Sequence, residues 1–408
     1  MSGKWPGGFI KKTAPTVVGP TDGEGGTASG IWTLDQAADY EKQGLWPKPV
    51  LPRELWVWGR NQFGQLGQGT SGATNYSSPV QVGSLTDWLK LAGSQYYGIL
   101  TTKSDGTAWS WGAGASGQLG QGSITNYSSP VQIGALTDWT KSISMGFYSP
   151  NGGIKSDGTL WLWGTGSYGA LAQGNTTNYS SPVQVGALTT WLQFSAGYYF
   201  GGAVQTDNTL WTWGRSNNYG QLGHNNKINY SSPKQVGALT NWLEVSIGHR
   251  TAGAIKTDGT LWMWGRNDKG QVGDGSITDR SSPVQIGALT TWSKLESAYE
   301  HTLALKTDGT LWAWGNNNTG QLGQGNTTNY SSPVQIGALT NWSQISGAIY
   351  SSMALTTAGT IFGWGWNTKG QLGVGDITNR SSPTQVGALT TWTLVMASNY
   401  QGGGIKTV

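Results

Sequence analysis

A Trp-Gly dipeptide recurs seven times along the chain, at Trp58, Trp111, Trp163, Trp213, Trp264, Trp314 and Trp364, in steps of 50 to 53 residues. Each copy continues into a Gly-Gln-Leu-Gly-like turn, then a Ser-Ser-Pro, then a Gly-Ala-Leu-Thr-x-Trp segment ending on a second tryptophan. Repetition at this period means one supersecondary unit stacked many times, and it limits the fold to arrays and closed rings.

Within one copy the residues signal strands. Trp292-Ser-Lys-Leu-Glu-Ser reads as a strand A and Leu303-Ala-Leu-Lys-Thr as a strand B. Asp308-Gly309 supplies positive φ for a tight hairpin turn, and Thr310-Leu-Trp-Ala-Trp-Gly alternates as a strand C. Pro333-Val-Gln-Ile-Gly gives a short strand D, where a proline is tolerated on an edge. Four antiparallel strands per repeat, seven times over, predict an all-β, seven-bladed β-propeller. Glycine density (65 residues) and the lack of a 3.6-residue period exclude a helical solenoid.

The first repeat begins at Glu54-Leu-Trp-Val-Trp-Gly, a strand C without its A and B. The last ends at Gly404-Ile-Lys-Thr-Val408, a strand B without its C. The two halves complete one blade, so the ring is expected to close by pairing the N- and C-terminal strands, which removes exposed sheet edges. The expected division is an N-terminal arm, residues 1–50, followed by the propeller, residues 51–408.

Only 11% of the chain is charged while it holds 24 tryptophans, the reverse of a disordered composition. No apolar run approaches the roughly 18 residues of a membrane helix, so membrane insertion is not expected. With no cysteine, disulfides and cysteine metal sites are excluded. A net charge of +4 without a lysine or arginine run gives no nucleic-acid footprint.

The stretch Glu300-His301-Thr302-Leu303-Ala304-Leu305, followed by Asp-Gly and by Trp314 to Gly323, resembles the regulator of chromosome condensation repeat family. The resemblance covers residues 51–408 and implies a seven-bladed propeller. Functions in that family include nucleotide exchange on a small nuclear GTPase through a wedge inserted in one blade, and ultraviolet-B perception through tryptophans surrounded by arginines. Repeats of 50 to 53 residues leave no room for such a wedge, and few arginines accompany the repeated tryptophans here.

The arm is a different kind of segment. Its glycine- and proline-rich start reads as extended, and Thr33-Leu-Asp-Gln36 as a capping box opening a short helix to about Gln43. The string from Gly30 to Tyr40, with Gly44-Leu-Trp-Pro47 after it, is similar to short segments in structural proteins of tailed bacteriophages. That similarity implies a virion protein whose arm docks on other virion proteins through Ile31, Trp32, Leu34, Tyr40 and Trp46. The propeller would then be an exposed receptor-binding or decorating head, a tail appendage before a capsid decoration, and part of a larger assembly. The other reading is a cellular interaction or lectin-like propeller, including a guanine-nucleotide exchange regulator.

Most chemically suggestive residues read better as structure. Twenty tryptophans occupy three repeated slots, which is what blade packing requires. The aspartates Asp105, Asp157, Asp258 and Asp308 are turn formers. Asn75, Asn126, Asn178, Asn229 and Asn329 match a glycosylation acceptor, but in one repeated slot. His224, His249 and His301 lack ligand spacing, and His301 fills a repeat position. Neither a catalytic constellation nor a cofactor or metal site is expected, and the chain reads as no enzyme.

The copies disagree in two places. Eight residues after each closing tryptophan stand Tyr96, Phe147, Tyr199, Arg250, Glu300, Tyr350 and Tyr400. One residue earlier stand Gln95, Gly146, Tyr198, His249, Tyr299, Ile349 and Asn399. A second varying stretch follows each Trp-Gly, as in Arg60 to Phe63, Arg215 to Tyr219 and Trp366 to Lys369. In a propeller these are A–B turns and C–D loops of one face, and loops on a rigid scaffold are free to carry recognition. The expected ligand is a host surface protein or a glycan, met through Tyr96, Phe147, Tyr198, Tyr199, His249, Arg250, Tyr299, Glu300, Tyr350, Asn399 and Tyr400.

Overall fold

In the repeat that starts at Trp292, strands A to D are Trp292–Ser297, His301–Lys306, Leu311–Gly315 and Tyr330–Gln335, hydrogen-bonded in that order. The computed structural model describes residues 17–18, 27–28, 51–72, 74–94, 97–146, 149–216 and 218–408. Arg53–Thr407 form one compact unit holding seven such four-stranded antiparallel sheets. In the other unit, Val17–Val18 pairs with Thr27–Ala28. The helix expected from Thr33 to Gln43 and the docking residues Ile31, Trp32, Leu34, Tyr40 and Trp46 lie outside the described residues.

The B–C turn departs from the expected geometry. Gly309 alone takes positive φ (76°), and its N–H donates to Lys306 O at 3.0 Å while Lys306 N–H donates to Thr310 O at 3.1 Å. This is the three-residue hairpin with a glycine bulge. Asp308 serves it with its side chain: Oδ1 accepts from Thr310 N–H (2.9 Å) and Oγ1–H (2.6 Å), and Thr310 Oγ1 accepts from Trp312 Nε1–H (2.9 Å). Strand D starts at Tyr330, three residues earlier than its proline suggests. Pro333 falls in the irregular stretch between the pairs Ala313–Val334 and Gly315–Tyr330, where no ladder N–H is needed.

Adjacent blades are held by the Trp-Gly tryptophans. Trp364 Nε1 donates to Gln321 O at 2.9 Å, and Trp314 to Gln271 O at 3.0 Å, each in the preceding blade's Gly-Gln-Leu-Gly-like turn. The turn must hug the indole: at Gly323 (φ 69°) a Cβ would stand 3.0 Å from Trp364 Nε1. All seven Trp-Gly indoles are buried. The closing tryptophans meet C-strand aromatics edge-on, as in Trp292 against Trp312 (centroids 6.1 Å, 78°). The tryptophans are therefore packing and latch residues, as their repetition implies.

Ring closure follows the expectation. Trp392–Ala397 and Gln401–Thr407 supply A and B, and Arg53–Gly59 and Tyr76–Gln81 supply C and D, of one sheet. The seam runs antiparallel from Arg53–Thr407 to Gly59–Gln401, and Trp58 Nε1 latches onto Gln371 O at 2.9 Å.

Candidate functional site

Where the copies disagree, the structure assembles a chain of rings. From Phe63 it runs through Tyr97, Tyr400, Trp366, Tyr350, Tyr299, His249, Tyr198 and Tyr199 to Tyr168, each centroid within 6.0 Å of the next. Tyr97 and Tyr400 stack at 5.4 Å and 15°, joining the blade that closes the ring to the one that starts at Trp88. Seven of the rings come from A–B turns, and Phe63, Trp366 and Tyr168 from C–D loops, which the meander places on one face.

Register explains one shift from the sequence reading. The residue before strand B lies under the glycine of Trp-Gly in the next strand: Tyr400 under Gly59, Arg250 under Gly265, Tyr350 under Gly365. In the blade starting at Trp88 this place is held by Tyr97, one residue beyond Tyr96, because that A–B turn is longer. Tyr96 and Phe147 lie outside the described residues. Tyr198, Tyr199, Arg250, Tyr299, Glu300, Tyr350 and Tyr400 are partly exposed on the face, whereas His249 and Asn399 are buried at 4% and 7% exposure.

Guanidinium groups lie over these rings. Arg60 sits 4.9 Å above Tyr400 and 5.2 Å above Tyr97, whose hydroxyl accepts from its Nη1 at 3.1 Å. Arg215 covers Tyr168 at 4.8 Å and Tyr198 at 5.4 Å. Arg250 lies 5.3 Å over Tyr219 and donates to its hydroxyl at 3.1 Å. Each such stack contributes about 0.5–1 kcal/mol when exposed. Arg266 differs: it pairs with Glu300 (2.7 Å) and Asp268 (2.6 Å), and Asn316 donates to the other Glu300 oxygen at 2.8 Å. Among the described residues, Arg60, Arg215 and Arg250 form no ion pair with a carboxylate.

Electrostatics follow from this geometry. Burial, aided by Arg250, Arg266 and Arg215, pushes His249 down to about 2, so it stacks as a neutral ring 4.0 Å from Tyr299. Burial and the neighbouring Glu300 raise the Tyr299 hydroxyl above its ordinary range. Three rim tyrosines, Tyr97 (φ 66°), Tyr168 (62°) and Tyr199 (59°), take the left-handed backbone region, uncommon for such side chains.

The remaining sequence candidates are structural. His301 is buried against Ser352 (2.8 Å), and burial pushes it down to about 3. Asn126, Asn178, Asn229 and Asn329 accept a backbone N–H through Oδ1, at 2.7–2.9 Å, and Asp279 does the same at 2.8 Å. An acceptor oxygen is what that slot requires. Among the described residues no group of three or more His, Asp or Glu side chains could hold a metal ion, and no helix is long and apolar enough to cross a membrane. Sequence reading reached Arg60, Phe63, Arg215, Tyr219 and Trp366 only as variable loops, and missed Tyr97, Tyr168 and Arg266. Their signal was present: Arg266 fills the same slot as Arg60 and Arg215.

A closed ring of seven blades with a varied aromatic and cationic face defines a propeller of the repeat class anticipated above. The RCC1-like domain model matches residues 154–403, and the model of the regulator of chromosome condensation (RCC1) repeat matches residues 54–100 and 105–148. The chain belongs to the RCC1-like domain family. It is 33% identical over 273 residues to the ultraviolet-B receptor UVR8 of Arabidopsis thaliana, covering 63% of this chain and 57% of the receptor. It is 28% identical over 226 residues to the human E3 ubiquitin-protein ligase HERC2, covering 53% of this chain and 5% of the ligase. Among solved structures, Prp20p of Saccharomyces cerevisiae superposes with a TM-score of 0.77 at 18% identity, covering 88% of this chain and 92% of that one. Human WBSCR16 gives 0.76 at 19%, covering 87% and 99%. At that identity the likeness shows the fold alone.

These findings overturn the virion assignment. The relatives are cellular proteins, among them a plant receptor, a human ligase and a mitochondrial plant protein. The bacteriophage similarity rested on about twenty residues of the arm, whereas the family matches extend through the propeller. The virion location and the virion partners proposed for residues 1–50 fall with it.

Proposed function

We propose that the protein is a non-enzymatic interaction propeller that grips an acidic segment of a partner protein through the A–B and C–D face. One observation carries this reading: three guanidinium groups lie on tyrosine rings of one face with no carboxylate partner among the described residues. Counting the A–B turns and the whole C–D loops, the face holds Arg60, Arg215, Lys227, Arg250, Arg266, Lys269 and Lys369 against Asp268, Asp274, Asp279, Glu300 and Asp376, an excess of two cations. Tyrosine and arginine are the residues that dominate interface energetics, and an excess of one sign steers a complementary partner. The named relatives include Prp20p, whose structure was reported with binding to Gsp1p and histones, and the present reading is consistent with protein binding.

The test is binding of the full chain to fluorescent poly-L-glutamate, followed by anisotropy. Saturable binding, weakened by salt and lost in an Arg60→Glu, Arg215→Glu, Arg250→Glu variant, is the expected result. Equal binding by that variant, or equal binding to poly-L-lysine, would overturn the acidic-partner reading.

A further inference from the structure

The seven A strands surround a cavity of about 240 Å³ along the propeller axis. Its wall repeats one device. A serine in one blade accepts the N–H of the next blade's A strand: Ser144 from Ala196 (3.1 Å), Ser195 from Ile247 (2.9 Å), Ser246 from Ser297 (2.7 Å) and Ser346 from Ala397 (2.8 Å). In the blade between Ser246 and Ser346 the slot is held by Glu296, whose Oε1 is 3.5 Å from Gly347 N. Its other oxygen has no hydrogen-bond partner among the described residues, and Glu296 is the one ionisable side chain among those lining the cavity.

Surrounding charge does not neutralise it. Glu244, on the preceding A strand, adds repulsion and is itself paired with Lys294 at 3.7 Å. Lys90, on a third A strand, donates to Lys141 O at 3.1 Å. Behind Glu296, His301 is neutral and Lys306 lies 3.6 Å from the Trp312 ring centroid. Burial pushes the Glu296 carboxyl up to about 8, with Gly347 N–H opposing and Glu244 reinforcing. Glu296 is only partly exposed, and a carboxylate drawn largely out of bulk water without a counter-charge is costly, a cost that a proton or another cation offsets.

We propose that the central cavity binds a small monovalent cation, an alkali ion or the head of a primary amine, with Glu296 as its anionic ligand and serine hydroxyls of the flanking blades as neutral oxygen ligands. A single carboxylate among neutral oxygens suits unit charge, whereas divalent sites gather several carboxylates. Because the proton and the cation compete for the same oxygens, binding strengthens as pH rises past 8.

The experiment compares thermal melting of the full chain with Glu296→Ser and Glu296→Gln, at pH 9 and pH 6.5. Potassium, sodium or methylammonium chloride replaces choline chloride at constant ionic strength. Glu296→Ser installs the residue that four other blades carry, so it retains the ring. A rise of about 2 °C or more in the parent at pH 9, smaller at pH 6.5 and absent in both variants, is the expected result. A response to alkali ions alone identifies an inorganic ligand, and a response to methylammonium alone identifies an amine. Equal responses in parent and variants, or no response in the parent at pH 9, would refute the site. Sodium-23 line broadening by the parent but not by Glu296→Ser supplies the second measurement, independent of folding.

Discussion

Lys406 Nζ lies 2.8 Å from Glu54 Oε2, joining the last strand of the chain to the first strand of the propeller. The same carboxylate accepts Trp56 Nε1–H at 3.0 Å. In five other blades that indole donation goes to a threonine fixed by a turn aspartate. The closing blade has its B–C turn replaced by two chain segments, and Glu54 performs the task of both turn residues.

Hydrogen bonding to Lys406, opposed by burial and aided by Trp56, holds the Glu54 carboxyl below its ordinary range. Its stabilisation is therefore present above the ordinary carboxylate range and disappears as pH falls through that range into the lowered folded value. Glu54→Gln should cost about 1 kcal/mol at pH 7 and flatten the pH dependence of unfolding in that window. Urea denaturation from pH 7 to pH 3 measures both.

Removing residues 402–408 takes away most of the seam strand and leaves sheet edges unpaired. The truncated chain should lose several degrees of melting temperature and self-associate. Differential scanning calorimetry with light scattering checks this, and a monomer with unchanged melting would contradict closure.

Acid should destabilise the fold before the surface carboxylates titrate. Burial holds His249, His301 and His224 near 2, 3 and 4, below the ordinary histidine value. Each binds a proton more readily when unfolded, so each removes up to about 1.4 kcal/mol per pH unit as pH falls below about 6.5. Glu296 acts in the opposite sense below pH 8, since its carboxyl is raised. The informative comparison is therefore His301→Gln with its parent. The variant's stability should fall less steeply between pH 7 and pH 5.

The latch residues can be ranked. Trp364→Phe deletes the donor to Gln321 O while retaining most of the ring, and should cost about 1–2 kcal/mol. Trp364→Ala opens a cavity between two blades and should cost about 3–5 kcal/mol. Guanidinium denaturation separates these values. A cost for the phenylalanine variant as large as for the alanine variant would contradict a packing role for the ring.

Much of the fold was legible because each repeat states its packing needs in the same slots. Trp-Gly, Asp-Gly-Thr and the closing tryptophan each answer one local demand, and their covariation confirms it: where Phe362 replaces the C-strand tryptophan, Ala358 replaces the turn aspartate. The face was legible as the place where copies differ. Offset counting went astray at Tyr97, because a longer A–B turn moves the register without disturbing the strands on either side. The channel was not legible, since a strand's alternation does not reveal that Ser246, Glu296 and Ser346 meet across blades. The arm misled because its similarity rested on about twenty residues, against family matches that run through the propeller.

The measurement closest to the central claim is site-specific photo-cross-linking in cells of the source, with p-benzoylphenylalanine in place of Tyr350 or Tyr400 on the ring-lined face, or of Leu239 in a D–A loop. The two face positions should capture the same protein through an acidic segment, and the Arg60→Glu, Arg215→Glu, Arg250→Glu background should abolish the capture. Equal capture from Leu239, or capture indifferent to the charge reversals, would contradict that claim.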